Sequence, residues 1–201
     1  MSRTMRFTFA ALGLSLSSAM LGAQGATAAA PVPAPAPAPA VAVVNNPAPV
    51  VGEMAPDFSA AWADASGIKP APLTLKSLKG KVVVLAFYPL DRSRGCTIEL
   101  TKFRDDYATL FGDGVVVLPT SIDTLDSHVS WAKEAKFPFA MIADPKAELA
   151  IKYGSNGAKY FNRTIFVIGK DGKVAYTNMH FGVNTQEQWD VLAAEIKKAK
   201  G

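Results

Sequence analysis

The 201 residues contain one cysteine, Cys96, which follows a run of apolar, mostly β-branched residues, Val82-Val83-Val84-Leu85-Ala86-Phe87-Tyr88. Such a run reads as a strand buried on both faces, and Pro89 ends it. The loop beyond the carboxyl end of a buried strand is where α/β sheets place ligands. A thiol in the first turn of the helix that follows faces unpaired backbone N–H groups and the positive end of the helix dipole. Both favour the thiolate, which is the nucleophile. The competing reading is an inert core thiol, because free cysteine packs as a small hydrophobe. A lone cysteine leaves no internal disulfide and no second thiol for exchange chemistry.

Few other residues could serve such a thiolate. Ser93 could cap the helix, donate to the sulfur, or do both. Arg163 is always protonated and presents a planar fork of N–H groups, able to hold an anionic sulfur and an oxygen together; read alone it is a surface arginine at a strand start. Glu99, one turn beyond Cys96, reads as solvated. His128 and His180 lack Cys/His ligand spacing and read as structural, so neither a metal nor another cofactor is expected.

The elements that must position these residues follow from periodicity. After the strand and a short loop, Cys96, Leu100, Phe103, Tyr107, Leu110 and Phe111 recur at helical spacing, and Gly112 and Gly114 stop the helix. Val115 to Leu118 is a second buried strand. Asp123 and Thr124 are cap candidates for a helix turning Leu125, Val129 and Ala132 inward. Phe139 to Ile142 forms a short strand, and Asp144-Pro145 opens a brief helix, with Pro at its first position, that Gly154 closes. Residues 164–168 and 174–177 form a hairpin around Gly169-Lys170-Asp171-Gly172. A last helix starts with a capping box, Thr185 and Gln188, and buries Trp189, Leu192, Ala193 and Ile196. Parallel strand–helix units followed by a hairpin and a covering helix predict an α/β fold, a mixed central sheet flanked by helices.

The residues also resemble a family. Phe87 to Glu99, with Pro89, Ser93 and Cys96 spaced as Pro, three residues, Thr or Ser, two residues, Cys, looks like the peroxiredoxin signature. Phe103-Arg104-Asp105 follows, as in the bacterioferritin-comigratory branch. Ala55-Pro56-Asp57-Phe58, Ser121-Ile122-Asp123 with Ser127-His128 and Trp131, Phe137-Pro138, Asp144-Pro145 and Asn162-Arg163-Thr164 extend the resemblance across 52–201. It implies a thioredoxin-like fold and a thiol-dependent peroxidase that reduces hydrogen peroxide or organic hydroperoxides through a cysteine sulfenic acid. In that pattern Cys96 is the peroxidatic nucleophile, Ser93 stands in the usual place of threonine, Pro89 shields the sulfur, and Arg163 is the distant cation. Two departures stand out. Arg94 occupies a position where the branch commonly has proline, and Thr101 one where many members carry a second cysteine. The sulfenic acid would then need an external thiol, from a thioredoxin-like protein, a glutaredoxin or a low-molecular-weight thiol.

The rest of the chain bears on location and partners. Arg3 and Arg6 precede an apolar run, Phe7 to Leu21, and Ala26-Thr27-Ala28 offers a cleavage signal, so 1–28 reads as a signal peptide and the protein as exported, periplasmic or secreted. The run is too short to span a membrane. Residues 29–51 read as a disordered Pro/Ala-rich linker, and 52–201 as one domain. A whole-chain charge of +4, near +2 without the signal region, is no nucleic-acid signature. A thiol–disulfide oxidoreductase or metallochaperone is disfavoured: Cys96-Thr97-Ile98-Glu99 has no second thiol, and no proline precedes the strand after Arg163. The alternative from another class is an exported binding or envelope-associated module with the same fold and no peroxidase activity, supported by the Pro/Ala tail.

Overall fold

The structure, a computed structural model, describes residues 47–201. The signal peptide read over 1–28 and most of the linker read over 29–51 lie outside the described residues.

The strand at Val82–Phe87 (β5) lies inside the sheet, and all six of its residues are buried. Its side chains alternate between two cores, as the two-residue period of a strand requires. Val82, Val84 and Ala86 point with Cys96, Leu100, Phe103, Trp131, Trp189 and Leu192 into one core. Val83, Leu85 and Phe87 point with Phe58, Leu149, Tyr153 and Phe166 into the other. The first core is therefore built by the helices Arg94–Asp105 (α1), Leu125–Ala135 (α2) and Gln186–Lys200 (α4), the second by Glu148–Lys152 (α3) and the segment before β5.

Seven strands form one mixed sheet. Val115–Ser121 (β6) runs parallel to β5, and Met141–Ala143 (β7) parallel to β6. Thr164–Ile168 (β8) lies antiparallel on the other side of β5 and pairs with Val174–Asn178 (β9). Trp62–Asp64 (β2) and Gly67–Ile68 (β3) extend the far edge, giving the order β3-β2-β7-β6-β5-β8-β9. Ser59–Ala60 (β1) and Leu73–Thr74 (β4) make a separate two-stranded ribbon.

The expected order of elements is found from β5 onward, with local differences. The first helix ends at Asp105, and Tyr107–Phe111 continue as a π-helical turn instead of regular α-helix. Gly112, at φ +59°, closes it. The strand expected at 139–142 starts two residues later and ends one later, at Met141–Ala143, because Phe139 is spent on aromatic packing against Phe103 and Phe137. Pro145 does not open α3. That helix starts at Glu148, and Asp144 serves its first turn by accepting from the backbone N–H groups of Leu149 (3.1 Å) and Ala150 (2.8 Å). Nor does the capping box of α4 form: Thr185 makes no side-chain cap bond, and the Gln188 carbonyl accepts from Gly182 N–H at 2.6 Å. Thr124 caps α2 as expected, accepting from Ser127 N–H.

Candidate active site

β5 and β8 run antiparallel, and Phe87 at the end of one pairs with Thr164 at the start of the other. The sheet therefore brings the loop after β5 beside the residue before β8, which is Arg163. Sixty-seven residues of separation collapse to 3.3 Å between Arg163 Nη2 and the Cys96 sulfur, and the guanidinium donates to it. A second donor arrives from the same loop. Ser93 Oγ lies 2.8 Å from Cys96 Sγ.

Ser93 resolves its two readings in a specific way. It occupies the N-cap position with extended backbone (φ −63°, ψ 151°), and its carbonyl accepts from Thr97 N–H at 2.8 Å. Its hydroxyl makes no cap bond and is turned to the sulfur. Cys96 itself, in the first turn of α1, is wholly buried. Gly95 permits the arrangement: a Cβ there would stand 3.0 Å from Arg163 Nη2 and force the guanidinium back. Pro89, half-buried, follows the wholly buried Tyr88 and begins the loop. Arg94 is exposed on the first turn.

Glu99 corrects the expectation of a solvated side chain. It is wholly buried, and Oε2 accepts from Arg163 Nη1 in an ion pair. The physical reason is helical spacing: residue 99 lies three after Cys96, on the same face, and Arg163 approaching that face supplies the charge that lets a carboxylate enter. Glu99 Oε1 has no hydrogen-bond partner among the described residues. Burial pushes the Glu99 carboxyl up to about 7, against the opposing pull of Arg163. Burial also works against the Arg163 charge, but Glu99 and Cys96 outweigh it and raise that group further. The guanidinium thus spans two partners, one nitrogen on the carboxylate and one on the sulfur, a task its planar fork suits.

A second polar cluster lies on the other side of the loop. The Asp91 carboxylate accepts from Tyr88 OH (2.6 Å) and Ser127 Oγ (2.6 Å) and contacts His128 Nδ1 at 3.0 Å. The other ring nitrogen of His128 meets the Ile142 carbonyl at 3.2 Å. Burial opposes charge on Asp91, yet His128, Ser127 and Tyr88 outweigh it and hold the carboxyl below its usual range. His128 is wholly buried and has a partner at each ring nitrogen; His180 is exposed. Sequence reasoning missed this cluster and Glu99 as parts of the site. The Ser127-His128 and Asp91 matches were visible, but nothing local joined them.

Comparison with known proteins adds the family. The model of the AhpC/TSA family matches residues 51–177. A peroxiredoxin of Porphyra purpurea is 32% identical over 155 residues, covering 72% of this chain and 77% of the relative. A peroxiredoxin of the bacterioferritin-comigratory type from Coxiella burnetii is 35% identical over 133 residues, covering 62% of this chain and 85% of the relative. The solved peroxidoxin BcpB of Mycobacterium tuberculosis superposes with a TM-score of 0.63 at 26% identity, covering 74% of this chain and 96% of that one. The sheet order, the thiol in the first turn of α1 and these matches agree on a thioredoxin-like fold. The chain belongs to the AhpC/TSA family and is a peroxiredoxin resembling the bacterioferritin-comigratory branch.

Proposed function

We propose that in this thiol-dependent peroxidase Cys96 is the peroxidatic nucleophile, with Ser93 and Arg163 as its donors and Pro89 as a shield against water. The observation that carries the reading is the convergence of two hydrogen-bond donors, Ser93 Oγ at 2.8 Å and Arg163 Nη2 at 3.3 Å, on one buried sulfur. A sulfur lone pair attacks one peroxide oxygen, the S–O bond forms and the O–O bond breaks. The bonding pair leaves on the departing oxygen, which takes a proton from solvent as water or an alcohol. Sulfur is oxidised to the sulfenic acid, and the peroxide is reduced. Charge builds on the leaving oxygen during this step, so preorganised donors beside the sulfur lower the barrier most.

The single cysteine sets the second half of the cycle. An external thiol attacks the sulfenic sulfur, expels water and leaves a mixed disulfide, which a further thiol returns to Cys96. A thioredoxin-like protein, a glutaredoxin and a small thiol are the candidates. We further propose that the protein is exported, on the strength of Arg3, Arg6, the apolar run and Ala26-Thr27-Ala28. The binding-module alternative finds no support in the relatives. Intact-mass analysis after one equivalent of peroxide, with each candidate thiol added in turn, tests the cycle. A gain of one oxygen at Cys96, reversed by one thiol class, is expected; an unmodified Cys96 overturns the reading.

A further inference from the structure

The turn that carries Ser93 is held from outside the reacting cluster. Leu90 to Ser93 forms a four-residue turn closed by Ser93 N–H to the Leu90 carbonyl at 3.3 Å. Its third residue, Arg92, has φ +59°, a conformation that favours glycine, so the turn must be over-determined by its surroundings to persist. Three sets of bonds do this. The Asp91 carboxylate is gripped by Tyr88, Ser127 and His128, and Asp91 N–H donates to Asp123 Oδ2 at 2.8 Å. The Arg92 guanidinium donates to Ser130 and pairs with Glu134 at 3.1 Å. His128, through its second nitrogen, ties the assembly to the Ile142 carbonyl of β7. Four of these anchors stand on α2, and Asp123 lies just before it, yet none of these bonds of Asp91 and His128 reaches Cys96, Arg163 or the Ser93 hydroxyl.

We propose that Asp91 and His128 are positioning residues of the peroxidatic site, fixing the turn so that the Ser93 hydroxyl is aimed at the Cys96 sulfur. This rests on the reading of Ser93 as a donor in the peroxide step. A bond network of this kind is worth more intact than piecemeal, and a misplacement of about 1 Å at a reacting group can slow a step by up to roughly 10²-fold. Because the pair acts only through the aim of one hydroxyl, deleting that hydroxyl should abolish the pair's effect. A structural role would instead cost the same with or without it.

Rapid mixing of the full chain with hydrogen peroxide, read as the rate of Cys96 oxidation, tests this in Asp91→Asn, His128→Gln, Ser93→Ala and the two doubles with Ser93→Ala. The expected result is a loss of about 10-fold for each single variant of the pair, and doubles no more than about two-fold slower than Ser93→Ala alone. Thermal melts identify any variant that fails to fold. Should neither variant of the pair fold, Ser127→Ala carries the same test at about three-fold. Parental rates for the pair variants, or losses that multiply with Ser93→Ala, overturn the positioning role. A parental rate for Ser93→Ala alone overturns the reading of Ser93 itself, and the positioning role with it.

Discussion

The two polar clusters on either side of the Leu90–Ser93 turn each contain a buried carboxyl group, Asp91 in one and Glu99 in the other, but they are completed differently. Around Asp91 the hydrogen bonding is saturated: both carboxylate oxygens and both nitrogens of His128 have partners. Around Cys96 it is left open. Arg163 divides its guanidinium between sulfur and Glu99, and Glu99 Oε1 has no partner among the described residues. Satisfied buried networks rigidify, whereas an unsatisfied buried group is costly and is kept where chemistry uses it. On the proposed reading, one cluster holds the site and the other performs the reaction.

Arg163→Ala should break the reacting cluster most. It removes a donor from the sulfur and strands the buried Glu99. The expected result is a loss of roughly 10²-fold in the rate of Cys96 oxidation by stopped flow and, at pH 8, where Glu99 is ionised in the parent, of about 3 kcal/mol in stability by denaturant melt. Ser93→Ala should cost about 10-fold in that rate, while Ser93→Thr, which keeps the hydroxyl, should stay within about three-fold of the parent.

The pH dependence of stability separates the clusters without touching the sulfur. Folded Glu99 keeps its proton up to about 7, whereas its ordinary value is 4.5, so between those values the native state binds more protons than the unfolded chain. The contribution of this group is full below its ordinary value and falls as pH rises through the folded one, by on the order of 3 kcal/mol. Glu99→Gln should flatten that decline in melts between pH 5 and pH 7.5. The smallest effect is a control on α2: Thr124→Ala, which removes a helix cap, should cost about 1 kcal/mol of stability and less than two-fold in rate. Equal losses of rate from Thr124→Ala and Ser93→Ala would erase the distinction between holding and reacting.

What the sequence disclosed follows from how local each signal is. β5, α1 and the position of Cys96 were legible because a buried run and a helical stripe are written in neighbouring residues. Arg163 was found only through the motif resemblance, since its approach to the sulfur depends on β5 and β8 being adjacent. Glu99 was misread because its burial is decided by a partner sixty-four residues away. The Asp91–His128 contact spans thirty-seven residues and leaves no periodic trace. The strands from Ser59 to Thr74 are two or three residues long, too short for alternation to declare them. The capping box failed because Gln188 found a better acceptor role at Gly182.

A buried sulfur held by Ser93 and Arg163 should behave as a peroxidatic nucleophile. Rapid mixing of the reduced protein with hydrogen peroxide, followed by trapping of the sulfenic acid at Cys96, tests it most directly. Oxidation at least roughly 10³-fold faster than that of free cysteine under the same conditions is expected, as two preorganised donors would supply. Oxidation no faster than free cysteine would contradict it.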